Sequence, residues 1–214
     1  MFIKILESIK KNYELKVKDC GEFKTLSVAG MNFNNECYYA KGLGNVAIMK
    51  IDDGKGVMNM DTLIINPFEI DAPMLSYDCI SMMGIHILYL EPFDTTIEHC
   101  FNTNPIKNIK DKYEDIIDNN PQEARWYDSL RLEGTIFKKT TDQDNLSKML
   151  EEYYEAYLQT LKNTKPCDIV AKKAKAAIYS NGLIENGGPA TDPFLQTFGK
   201  EKTKEFFEKV LFGV

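Results

Sequence analysis

The chain changes its apolar rhythm part-way along, and that change constrains the fold more than any other feature. Up to Leu90 the apolar residues come in short runs rich in β-branched and aromatic side chains: Leu26 to Met31, Glu36 to Ala40, Asn45 to Ile51, Val57 to Ile65 and Asp78 to Leu90. Turn residues separate them, at Gly42-Leu43-Gly44 and at Asp52-Asp53-Gly54-Lys55-Gly56. An Asp-Gly pair supplies the positive φ that a tight hairpin needs, so antiparallel pairing of neighbouring runs follows. Later the spacing becomes helical. Leu146, Leu150, Tyr153, Tyr157 and Leu161 recur every three or four residues and form one face of a helix over Asp144 to Asn163. Pro166 is suited to open the next helix and Gly182 to close it. The Gly-, Asn- and Pro-rich stretch Asn181 to Pro193 reads as a loop, and Lys200 to Phe212 as a last amphipathic helix. Lys107 to Asn120, between Pro105 and Pro121, reads as a surface helix or loop. Met1 to Lys11 carries apolar residues at Phe2, Ile5 and Ile9 with charges between them and reads as an amphipathic helix. Strands first and helices later predicts an α/β protein with an antiparallel sheet and helices packed on it.

A length of 214 residues suits a single domain over 1–214 with a core that needs no staples. The net charge of -6 argues against a general nucleic-acid binder, which needs a basic footprint. No apolar run reaches membrane-spanning length, and the N-terminal segment lacks the uninterrupted apolar stretch of a signal peptide, so a cytoplasmic protein is expected. Five cysteines at irregular spacing predict free thiols rather than a disulfide framework or zinc site. Two histidines, His86 and His99, leave little for a metal centre or a Ser-His-Asp triad.

Three stretches carry a resemblance. Lys55-Gly56-Val57-Met58-Asn59-Met60-Asp61 runs through Asn66-Pro67 to Asp71-Ala72-Pro73-Met74-Leu75-Ser76-Tyr77-Asp78. This is similar to a strand, proline loop and "(L/A)P(M/I)FG-x-D" motif. Leu130 to Phe137 is similar to an "LPEWGxIF" segment, and Phe198-Gly199-Lys200 with Phe206 to Phe212 to a closing "FG…VLFD" helix. In this order and spacing they resemble the ferredoxin-dependent bilin reductases, with the red chlorophyll catabolite reductases as a related branch. The resemblance covers roughly residues 25 to 214. It implies a three-layer α/β/α sandwich with a central antiparallel sheet flanked by helices, and a linear tetrapyrrole of the biliverdin type held between the sheet and the C-terminal helices. It also implies no bound metal or flavin. Electrons would come from ferredoxin or flavodoxin, and protons from side chains and water.

The resemblance gives Asp78 the role of the family's central proton donor; read alone, it is as well a strand-end carboxylate bonded to a turn. A carboxyl pressed against an apolar macrocycle loses solvation, so it holds its proton near neutrality. Asp61 sits where some members carry histidine and others asparagine. It is either a second relay carboxylate or an outward-pointing strand residue. Counting back without a gap, the upstream glutamate of phycocyanobilin-making members falls on Met49, which questions that chemistry here and keeps a non-catalytic carrier, or a domain with its pocket lost, in play. Asp192 is the nearest match to a second aspartate some members use before the last helix, and is equally a helix cap or an Asp-Pro turn. Arg125 and Arg131 are the only arginines. Their planar forks suit propionates, as does Lys138 or Lys139, while Glu123, Asp128 and Glu133 are alternative ion-pair partners. Met74 and Tyr77 belong to the same motif as Asp78 and are candidate ligand-lining residues. Tyr38, Tyr39, Tyr77, Trp126 and Phe137 are either pocket walls or core. The lysine clusters at 107–112, 162–175 and 200–204 are solvated helix faces or a docking field for an acidic partner.

Overall fold

The computed structural model describes residues 2–214. Helix α1 (Phe2–Asn12) precedes strands β1 (Leu15–Lys18), β2 (Thr25–Val28), β3 (Met31–Ala40), β4 (Gly44–Asp52), β5 (Met58–Pro67), β6 (Met74–Met82) and β7 (Ile85–Phe93). Then follow α2 (Asn104–Lys112), β8 (Ile136–Thr140), α3 (Gln143–Leu161), α4 (Ile169–Asn186), α5 (Asp192–Phe206) and a π-helical turn at Phe207–Phe212. All eight strands form one antiparallel sheet in the order β1-β3-β4-β5-β6-β7-β8, with β2 also pairing β3. Helices cover both faces, so the chain is an α/β/α sandwich with a central antiparallel sheet.

Turn chemistry fixes the register. Asp53 accepts from the amides of Lys55, Val57 and Met58, which folds the β4–β5 turn as the sequence predicts. The expected run Asp78 to Leu90 is two strands, because Met83 and Gly84 take positive φ and reverse the chain. Gly182 does not end a helix. It lies inside α4, where a Cβ would come within 2.1 Å of the Trp126 ring, so the ring can pack only against glycine. The helix runs on to Asn186, which shortens the expected loop. Gly199 breaks α5 with φ of 77°, so the last helical segment starts at Lys200, as read from the sequence.

The two sheet faces carry separate cores. One packs Val46, Ile48, Leu63, Ile65, Leu75 and Leu90 against α1, α2 and α3. The other packs Ala47, Met49, Ile51 and Ile64 against α4, α5 and the final turn. Two sheet asparagines anchor that turn. Asn45 donates to the carbonyls of Val210 and Leu211 at 3.2 and 3.0 Å, and Asn66 to that of Phe212 at 2.6 Å. They satisfy carbonyls that a helix C-terminus leaves without partners.

Candidate functional site

Strand alternation decides which residues can meet. The register places Asn35, Met49, Thr62, Asp78, Tyr89 and Phe137 directly opposite one another, in one rung across β3 to β8. They share the face with Met49 and Ile64, the face covered by the C-terminal helices. Over β3 and β4 this rung is buried, at Asn35 and Met49. From Asp78 outward it opens: Asp78, Tyr89 and Phe137 are half-buried, as are Met60, Ile80 and Ile87 around them. The result is an apolar strip with a carboxyl at its floor.

Asp78 is deeply enclosed by protein, yet solvent still reaches part of it, which puts it in a crevice rather than in the packed core. Burial pushes its carboxyl up to about 7, and the nearby charge of Glu91 acts in the same direction. Thr62 opposes this by donating its hydroxyl to Asp78 Oδ1 at 2.5 Å. Glu91 itself is buried on β7, and its proton affinity is raised by burial against the opposing pull of Arg131. Arg131 Nε donates to Glu91 Oε1 at 2.7 Å, and its other nitrogen pairs with Asp128. The guanidinium lies 5.0 Å from the ring centres of both Tyr127 and Phe137. Tyr179 of α4 packs tilted against Phe93, with ring centres 4.4 Å apart, and lies against the rings of Trp126, Tyr127 and Phe212. Burial, then the charges of Glu91 and Asp78, hold the Tyr179 phenol well above its ordinary range.

The expected site residues divide. Asp78, Arg131, Met74, Trp126 and Phe137 share this side of the sheet, with Met74 buried in the core beside Phe93. Arg125 is half-buried, its charge is felt by Tyr89 and Tyr127, and no ion pair forms with it among the described residues. Arg131 makes the ion pair with Asp128 foreseen as an alternative, and adds one with Glu91 that was not.

Others lie elsewhere. Asp61 projects to the opposite face from Asp78, across from Lys50, because the two positions differ in parity once β5 pairs β6. The resemblance offered Asp61 as a second relay carboxylate, whereas the register puts Thr62 beside Asp78. Burial raises the Asp61 carboxyl in its own environment. Tyr77 is buried in the α1–α3 core, again by alternation. Lys138 also points to that side, where its amine holds the Ile116 carbonyl at 2.8 Å and Asp118 at 2.7 Å. Lys139, the alternative, is exposed on the Asp78 side of β8. Asp192 turns back to accept from the Gly188 amide at 2.9 Å, stapling the α4–α5 loop.

Thr62, Glu91, Tyr127 and Tyr179 escaped the sequence reading. Glu91 carried a signal, since it interrupts the apolar run ILYL before Pro92, as Asp61 interrupts its own strand. Lys172, placed with a solvated cluster, is fully buried with its amine on Thr95 Oγ1 at 2.9 Å, and burial lowers it to about 8. A groove of about 710 Å³ between α2 and α3, lined by Glu151, Glu152 and Glu155, lies on the far side of the sheet and does not adjoin Asp78. No helix is long and apolar enough to cross a membrane among the described residues.

Comparison with known proteins agrees with this architecture. The crystal structure of phytochromobilin synthase from tomato in complex with biliverdin superposes with a TM-score of 0.71. It is 14% identical, and the alignment covers 99% of this chain and 83% of that one. At that identity the likeness speaks for the fold. No curated protein matches by sequence. A family model described as ferredoxin-dependent bilin reductase matches residues 7–213, nearly the whole chain. The chain therefore belongs to the ferredoxin-dependent bilin reductase family.

Proposed function

We propose that the protein reduces a linear tetrapyrrole of the biliverdin type, taking electrons from ferredoxin or flavodoxin and protons from Asp78. The observation that carries this reading is the placement of Asp78. Its carboxyl, pushed up to about 7, stands at the floor of a half-buried apolar strip. A group poised there is protonated in a useful fraction at neutral pH and delivers that proton to an electron-rich ligand lying on the strip. Tyr89 and Phe137 offer ring surface for a planar ligand, and Arg125, with Lys139, offers cationic donors for its carboxylates.

Met49 favours a second reading. It occupies the same rung as Asp78, where the resemblance implies a glutamate in some members, and it brings no proton. A protein that binds the tetrapyrrole without turning it over fits that residue. An anaerobic visible-light titration with biliverdin, followed by reduced ferredoxin, separates the two. A bound spectrum that bleaches or shifts on reduction supports the enzyme. A bound spectrum that stays unchanged supports the carrier, and no binding removes both.

A further inference from the structure

The buried carboxylate of Glu91 has no part in the proton delivery described above, and its surroundings are built with care for its charge. Glu91 lies two residues along β7 from Tyr89, the residue directly opposite Asp78. Diagonal neighbours of this kind on one face are about 7–8 Å apart. Arg131 reaches Glu91 from the other side. Its backbone bridges Phe93 next to β8, so β7 and Glu91 stand between Arg131 and Asp78. The guanidinium is fixed there by the Asp128 pair and by the Tyr127 and Phe137 rings.

We propose that Glu91 is a positioning residue that sets the proton occupancy of Asp78 by its charge, with Arg131 locking that charge in place. Two carboxyls on one poorly solvated face do not both ionise readily. The one holding a cation ionises first, and here that is Glu91. Its charge then disfavours ionisation of Asp78, which keeps the donor loaded. The groups that bear on Asp78 are Thr62 on β5, Tyr89 and Glu91 on β7, Tyr179 on α4, and Arg131 behind Glu91. Thr62 favours the ionised form by its hydrogen bond, and the tyrosines remain neutral, so Glu91 is the charge that opposes it.

The inference rests on the proposed reduction only for the use of the proton. Its test needs no tetrapyrrole. Carbon-13 carboxyl NMR of the full chain follows the titration of Asp78, assigned by the signal lost in Asp78→Asn. In Glu91→Gln the Asp78 midpoint falls by roughly one unit, and Glu91→Asp restores most of the difference. Glu91 ionises while Asp78 is still protonated, so the second arm keeps Asp78 as the readout: the double variant Glu91→Gln/Arg131→Gln, which leaves no buried guanidinium unpaired, lowers the Asp78 midpoint in the same direction. This second arm decides the matter if Glu91→Gln fails to fold. Unchanged midpoints overturn the proposal. A protein that shows the coupling but does not bind biliverdin loses the proposed function and keeps this inference. One that reduces biliverdin with uncoupled midpoints does the reverse.

Discussion

The two faces of this sheet differ in how completely they are closed. On the α1–α3 side, Leu63, Tyr77, Cys79, Leu88, Leu90 and Ile136 are all buried. On the other side, the same strands carry Met60, Asp78, Ile80, Ile87, Tyr89 and Phe137, all half-buried. The first face behaves as an ordinary core, where close packing supplies stability. The second is closed over β3 and β4 by α5 and the final turn, closed again at Met74 and Phe93 by α4, and left open from Asp78 toward the β6–β7 turn and at Phe137. That open apolar area contributes less to stability and remains available to a ligand.

Ile87 and Leu88 put the comparison to its sharpest test, because they are neighbours on β7 and point to opposite faces. Leu88 is 0% exposed. Leu88→Ala removes buried methyl groups and leaves a cavity, so urea unfolding should show a loss of about 2–5 kcal/mol. Ile87→Ala, on the open strip, should cost about 1 kcal/mol or less. Equal losses would mean that both faces are packed alike.

The pH dependence of stability is expected to differ as well. A carboxyl raised from its ordinary 3.8 to about 7 in the folded state binds more protons folded than unfolded between those values. Stability is therefore lost as pH rises from about 4 to about 7, and levels off above. The full interval corresponds to at most about 4 kcal/mol, less whatever water entering the crevice recovers. Asp78→Asn, which cannot ionise, should flatten this slope and unfold at higher urea than the parent at pH 8. A parent whose stability rises over that pH range through Asp78 would contradict the burial argument.

The smallest effect belongs to Asp61. On the sealed side of the sheet, partly exposed and opposite Lys50, Asp61→Asn should change stability by about 0.5 kcal/mol or less. It should leave bilin reduction unaltered. A large loss of turnover would mean that Asp61 communicates with the Asp78 side through the sheet.

The architecture was legible because its signals are local. Asp53 and its glycines announce a hairpin, and Leu146 to Leu161 announce a helix, whatever surrounds them. Asp78 was singled out by the residues flanking it in one motif, and the register puts it on the face of the C-terminal helices. Its neighbours were not so marked, because a site on a sheet is assembled by register. Asp61 and Thr62 differ by one place in the chain and lie on opposite faces, and no local propensity distinguishes them. The same one-residue logic turned Tyr77 and Lys138 away. Tyr179 of α4 packs on Phe93 of β7 and so comes within the field of Glu91, a neighbourhood that no short motif holds and only packing reveals. Gly182 read as a stop signal because its reason, the Trp126 ring, comes from a distant segment.

The most direct test of the central claim compares parent and Asp78→Asn under the same anaerobic conditions, with biliverdin bound and reduced ferredoxin supplied. The variant is expected to bind biliverdin with affinity close to the parent, because the strip is intact, and to lose turnover by about 10²–10⁴-fold, the usual contribution of a positioned acid. Turnover at the parental rate would contradict the claim, and would mean that the proton reaches the tetrapyrrole from another group.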